Sequence, residues 1–181
     1  PEGKRDAYAL VVYIEPFSGR NLRAFGFDTY SEPVRQIAME NARDTGKPSL
    51  TGKIELVQET GAEVQAGTIM YMPIYHHNAL HDTVEQRRQA LKGWISGVYR
   101  MDDLLFGILN DWQQYIKDTI ELKIYDGNTS TPSTLLFNNT KNNSRLSPSP
   151  FYQERIIDFN GHQWLLAFDA IPYTLKLDFR S

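Results

Sequence analysis

Asn21–Leu50 reads NLRAFGFDTYSEPVRQIAMENARDTGKPSL, an aromatic-rich segment followed by a turn and then by helical spacing. Ser31 predicts the N-cap of a helix with Glu32 and Pro33 in its first turn, where a carboxylate suits the dipole and a missing amide costs nothing. Val34, Ile37, Ala38, Asn41 and Ala42 recur at the spacing of a buried stripe, Gly46 supplies the stop, and Pro48 prevents resumption. Leu22 to Phe27 predicts a short strand before the helix. Between them stands Asp28, whose carboxylate has three open readings: helix cap, catalyst or ligand contact.

Upstream, Ala7 to Ile14 (AYALVVYI) predicts a strand buried on both faces. Downstream, Leu50–Glu59, Gly67–Tyr75 and Leu91–Tyr99 predict further strands, with Pro73 arguing for an edge or a bulge in the second. HHNALHDTVEQRR, between the last two, is polar enough to be an excursion, with Arg87-Arg88 in a loop and strand start. A helix follows, capped by Asp102 or Asp103 and carrying Leu104, Leu105, Ile108 and Leu109 toward Tyr115. Strands are then expected at Ile120–Tyr125, Leu135–Phe137, Tyr152–Phe159 and Gln163–Phe168. The last two are joined by Asn160-Gly161, the pair that type I′ hairpin turns prefer. The expected fold class is mixed α+β: two sheet-plus-helix units in series, residues 1–100 and 101–181.

Bulk properties exclude several functions. The 181 residues carry 22 acidic and 19 basic side chains, a net charge of -3, so no global field gathers nucleic acid or an anionic membrane. The absence of cysteine removes thiolate nucleophiles, disulfides and sulfur-ligated metals. No apolar run reaches 18 residues, so the chain as given is expected to be soluble. There is no GxSxG elbow and no GxGxxG or GxxxxGK phosphate loop. His76, His77 and His81 lie close together without HExxH, which favours solvated loop histidines over a metal site. No catalytic residue, metal or cofactor is expected.

The side chains that remain as binding candidates cluster around Asp28. Phe25, Phe27 and Tyr30 offer an apolar wall beside a hydrogen-bond acceptor, the makeup of a small-molecule pocket. Met70 and Met72 share one face of their strand, opposite Tyr71 and Tyr75, and methionine suits both core packing and an adaptable ligand wall. Thr51 and Thr60 place hydroxyls at strand ends. Glu15 is expected to form a structural ion pair with Arg20, Arg23 or Arg35.

The ordered series YIEPFSGRN, GFDTYSEPVRQIAMENARDTGKPSLTGKIELVQE, GTIMYMPIY and LKGWISGVYRMDDLL resembles the CHASE domain. That family comprises extracytoplasmic ligand-sensing modules of membrane histidine kinases, cyclic-dinucleotide enzymes and plant cytokinin receptors. The resemblance runs from Tyr13 through Ile124. It implies two tandem PAS-like units, the membrane-distal one binding ligand, preceded by stalk helices that this chain lacks and through which the parent is a homodimer. It also implies a periplasmic or extracellular location. Asp28 matches the aspartate with which cytokinin receptors hold adenine, and Leu50 matches a pocket leucine. Ser31-Glu32-Pro33 stands where they have Ser-Gly, a departure that speaks against a cytokinin-like ligand while keeping the pocket. The resemblance thus implies a sensor with no activity of its own, feeding a kinase or diguanylate cyclase; the alternatives are a partner-sensing or structural module without a small ligand and, needing paired catalytic groups that the sequence does not advertise, a hydrolase.

Overall fold

The computed structural model describes residues 5, 7–59, 61, 64–112, 119–140 and 149–171. Its order is α1 (Pro33–Thr45), β1 (Ser49–Leu50), β2 (Gly67–Tyr75), α2 (Val84–Ala90), β3 (Leu91–Arg100), α3 (Met101–Leu109), β4 (Ile120–Asp126), β5 (Leu135–Asn138), β6 (Gln153–Phe159) and β7 (His162–Ala170). Two open antiparallel sheets result, one of order β1-β2-β3 and one of order β5-β4-β7-β6. The mixed class and the long strands are as expected. Asn160 and Gly161 both take positive φ, 54° and 76°, in the two-residue turn that pairs Phe159 with His162.

Several local expectations are corrected. Ala7–Ile14 is not a buried strand: Val12 is 77 % exposed, and the segment is held by backbone bonds Val11 N–H to Phe27 O, Gly26 N–H to Val11 O and Thr29 N–H to Ala9 O. Apolarity alone cannot make a strand central when only one neighbour pairs with it. Leu22–Phe27 is not a strand: its first three residues close a 3-10 turn, Gly19–Ala24. Of Leu50–Glu59 only Leu50 lies in a strand, the two-residue Ser49–Leu50, and Ile54 adds an isolated bridge to Gly67.

The N-cap of α1 is Glu32, whose carboxylate accepts the amides of Val34 and Arg35 at 3.1 and 3.0 Å. Ser31 instead donates its hydroxyl to Asp28 O at 2.7 Å. The buried stripe of α1 is accordingly Arg35, Ala38, Met39 and Ala42, and Ile37 is 69 % exposed. Small residues on the inner face let the helix settle close to Ile69 and Tyr71 of β2. Gly46 ends the helix in the left-handed region, at φ 71°, with its amide on Ala42 O.

The polar stretch before β3 is α2, not an excursion, and it starts in a capping box in which Thr83 and Gln86 satisfy each other's amides. Its Arg87 donates to Asp44 O at 2.8 Å and Arg88 pairs with the Asp44 carboxylate at 2.6 Å, placing cations at the carbonyl end of α1. Hydrogen bonds from Arg88 and Arg43 hold the Asp44 carboxyl well below the usual carboxylate range. In α3 the aspartates Asp102 and Asp103 lie in the first turn; the residue at the cap position is Arg100. Beyond Trp112 the expected continuation toward Tyr115 lies outside the described residues. Among the described residues no helix is long and apolar enough to cross a membrane.

The main core joins the two sheets. Leu50 of β1 packs with Met101 and Leu105 of α3, Leu122 and Ile124 of β4, Leu136 and Phe137 of β5, and Trp164 of β7. A second core lies between α1 and the first sheet. Close approach is built in at Gly67, where a Cβ would stand 2.4 Å from Leu56 Cγ. Gly67→Ala is therefore expected to destabilise the protein by about 1–2 kcal/mol through overpacking, read as a lower urea midpoint with the slope unchanged.

Candidate functional site

Asp28 is fully engaged. One carboxylate oxygen accepts the amides of Ala9 at 2.9 Å and Tyr30 at 3.1 Å, capping the short 3-10 turn Thr29–Ser31, and the other pairs with Arg5. The carboxylate thus fastens the extended segment through Ala9 onto the start of α1. Asp28→Ala is expected to cost about 1–2 kcal/mol, as for a lost cap, and to speed amide exchange at Ala9 and Tyr30 ahead of the rest of the protein. Unchanged exchange at those two amides would remove the fastening role.

The other expected binding residues fall in separate places. Phe25 is exposed and packs edge-on against Phe17, ring centres 5.4 Å apart. Phe27 lies beneath the Arg35 guanidinium, 5.1 Å from ring centre to Cζ. Leu50 belongs to the inter-sheet core, with Met70 packed against that core. Thr51 is buried, and its hydroxyl accepts the Ile69 amide at 2.9 Å. Met72 is 49 % exposed on the sheet face away from α1. Thr60 lies outside the described residues. The face of β2 that meets α1 is the one bearing Ile69 and Tyr71, not the methionines.

What the fold does gather beside Asp28 is a polar cluster under α1. Arg35 is 5 % exposed and Tyr71 2 %. Arg35 Nη2 donates to Glu55 O at 3.2 Å, while Nε has no hydrogen-bond partner, the Glu32 carboxylate standing off at 3.8 Å. Arg35 therefore pairs with neighbours on its own side rather than with Glu15. The Tyr71 hydroxyl also has no partner that meets hydrogen-bond geometry. The Thr29 hydroxyl stands close to it and donates its own proton to Ala9 O, 3.0 Å away, which leaves the Thr29 oxygen able to accept from the phenol. Burial pushes the Tyr71 pKa up to about 12, against the smaller opposing effects of the Arg35 charge and Thr29.

Neither residue was marked as a binding candidate in the sequence. A signal existed: Arg35 stands i−3, i−4 and i−7 from Ala38, Met39 and Ala42, so an arginine begins the small-residue stripe. The Tyr71 hydroxyl falls on the α1 side of an otherwise apolar strand. Around them Tyr30 and Trp94 lie 6.1 Å apart, and Trp94 Nε1 donates to Met39 O at 3.0 Å.

A second feature is an open groove of about 720 Å³ between the sheets, lined by Lys53, Glu55, Gln65, Asp102, Phe137 and Thr140 among others. Its lysine already donates to Ser133 O at 2.9 Å. Among the described residues no group of three or more His, Asp or Glu side chains is placed to hold a metal.

The family model of the CHASE domain matches residues 1–137, from the N-terminal segment into β5. The chain belongs to the CHASE family. No match was found among curated proteins. CHASE domains are extracytoplasmic sensory modules linked to membranes, and the sensor reading of this chain agrees with that. In this CHASE domain the match takes in the whole first sheet and the α1 cluster, and it ends inside the second sheet.

Proposed function

We propose that this CHASE domain binds a small molecule in the first of two PAS-like units, residues 1–100. It then passes the change through the second, residues 101–181, to a histidine kinase or diguanylate cyclase across the membrane. The observation that supports a ligand is a buried donor under α1, Arg35 Nε, that lacks a hydrogen-bond partner in the protein. Buried donors are nearly always satisfied in native proteins, so one left open favours an external acceptor. Phe27 supplies an apolar wall there. Asp28, by fastening the segment through Ala9 over this cluster, controls access, and Ala9 itself packs on the same core. Leu50 and Met70, on the inter-sheet core, relay the change.

Signal passage requires the ligand to favour one of two packings by its differential affinity. The shared core is the means, since Leu50 of the first sheet is locked among side chains of the second.

A thermal-shift screen of the 181-residue chain against a diverse solute library, adenine derivatives included, tests the reading. A compound that raises Tm dose-dependently supports it. A complete absence of shifts sinks it and favours partner sensing. One observation stands on that other side: the face of β2 and β3 away from α1 is apolar, with Met72 and Ile95 paired across the strands and Ile95 61 % exposed.

A further inference from the structure

The turn between β6 and β7 carries a histidine to the place where the two sheets meet. Asn160 Nδ2 stands 3.9 Å from Met70 Sδ of β2, and a Cβ on Gly161 would lie 3.6 Å from Asn41 Nδ2 of α1. Next in the chain is His162, whose Nε2 is 2.5 Å from Asp126 Oδ1 of β4. The other Asp126 oxygen accepts the Lys53 amide at 2.8 Å, in the segment that follows β1. His162 and a backbone amide of the first unit thus share one carboxylate. The remaining histidines, His76, His77 and His81, belong to the stretch before α2.

We propose that the His162–Asp126 pair is a proton-sensitive clasp, through which the packing of the first sheet on the second responds to the pH outside the cell. Imidazole is the side chain that gains and loses a charge between about pH 5 and about pH 8. Asp126 stays ionised throughout that range: burial pushes its carboxyl up, but hydrogen bonds from His162 and Lys53 outweigh it and leave the pKa below 3.8. On the acid side the contact is an ion pair as well as a hydrogen bond, and on the alkaline side the Coulomb attraction is gone. The clasp is therefore tightest in acid and loosens as pH rises through the histidine range. The two side chains are 28 % and 20 % exposed, open enough to exchange protons with solvent while part of the attraction escapes screening.

The other charges around the turn leave Asp126 as the partner. From the segment after β1, Lys53 directs its ammonium to Ser133 O at 2.9 Å. From β6, the Asp158 carboxylate accepts the Gly161 amide at 3.1 Å and is held by the hairpin turn. Asn41 and Met70, which α1 and β2 bring to the turn, do not titrate. Asn41 in turn donates to Ser49 Oγ of β1 at 2.9 Å, so movement of the turn reaches both α1 and β1 through groups already in contact. The stimulus here is the proton, and the clasp stands whether or not the cluster under α1 takes a small molecule.

The test is an NMR titration of the 181-residue chain from about pH 5 to about pH 8. It follows the His162 ring, the Met70 methyl group, and the protection of the Lys53 amide corrected for its intrinsic exchange rate. It is repeated on His162→Gln, which keeps a hydrogen-bond donor without a titrating charge, and on His77→Gln, which changes an exposed histidine away from the junction. The Met70 methyl is expected to move with the midpoint of the His162 ring. Lys53 protection should fall about fivefold from the acid to the alkaline end, the upper range for a partly exposed ion pair. Both responses should vanish in His162→Gln and persist in His77→Gln. In the parent alone, a Met70 signal indifferent to the His162 titration, or constant Lys53 protection, would overturn the clasp. Responses of undiminished size in His162→Gln would overturn it as well.

Discussion

Phe137→Ala should destabilise the protein by about 3–5 kcal/mol, the usual result of emptying a large aromatic site in a packed core. Phe137 is 1 % exposed, in the middle of the inter-sheet core, and its ring meets Phe106 of α3 edge-on at 5.1 Å. Removing it opens space among Leu50, Leu105, Ile124 and Trp164, which come from different elements and have little freedom to collapse together. For a chain of this size the loss corresponds to a Tm lower by on the order of 10 °C. Because Leu50 ties the first sheet to this core, exchange at the α1 amides should rise with exchange in β4 and β5. A loss below about 1 kcal/mol, or faster exchange confined to the second sheet, would mean that the sheets are energetically separate and that the shared core is no relay. By contrast, Ile157→Ala on the exposed edge strand β6 is expected to stay within about 0.5 kcal/mol of the parent.

The contrast between these two positions reflects what a sequence can show. Both stand in apolar strand patterns, and periodicity found both strands. Local signals with one dominant cause were legible: Gly46 after the helix, Asn160-Gly161 between two strands, and Pro73 in a strand whose partner β1 pairs only with Met70 and Tyr71. Features set by competition were not. Ser31 and Glu32 are both able to cap α1; Glu32 prevails because its longer side chain reaches two amides, and the serine turns back to Asp28 O. The stripe of α1 rotates in consequence, so that small residues meet the sheet and Ile37 faces outward.

The candidate site was half legible for the same reason. Asp28 and Phe27 stood out as a carboxylate in aromatic company, and they do lie beside the polar cluster, but the carboxylate is occupied by Ala9, Tyr30 and Arg5. The donor left open under α1 is Arg35 Nε, which meets the strand bearing Tyr71 only when α1 lies on β2. An arginine in an apolar stripe was the available clue. Burial decides its meaning, and burial is a property of the folded chain.

Asp126→Ala is the second substitution with a large expected effect, about 2–3 kcal/mol, because it strands a polar group that has no other acceptor at the junction. One Asp126 oxygen accepts the Lys53 amide at 2.8 Å and the other meets His162 Nε2 at 2.5 Å, joining the segment after β1 to both β4 and β7. The approach is close enough that a Cβ on Gly52 would stand 2.9 Å from the carboxylate, so Gly52→Ala should reproduce part of the loss. Burial pushes the Asp126 carboxyl up, but hydrogen bonds from His162 and Lys53 outweigh it and leave the pKa below its ordinary value of 3.8. A carboxylate whose folded pKa is depressed contributes stability that is complete above its unfolded pKa and is lost as pH falls through the folded one. Denaturant titrations should therefore show the parent losing stability below about pH 4, with a shallower acid slope for Asp126→Ala. Identical slopes would mean that the junction is held by packing alone. A shallower slope together with a loss near the expected size would make this carboxylate the electrostatic tie between the two sheets, at the point where a change in the first sheet must pass into the second.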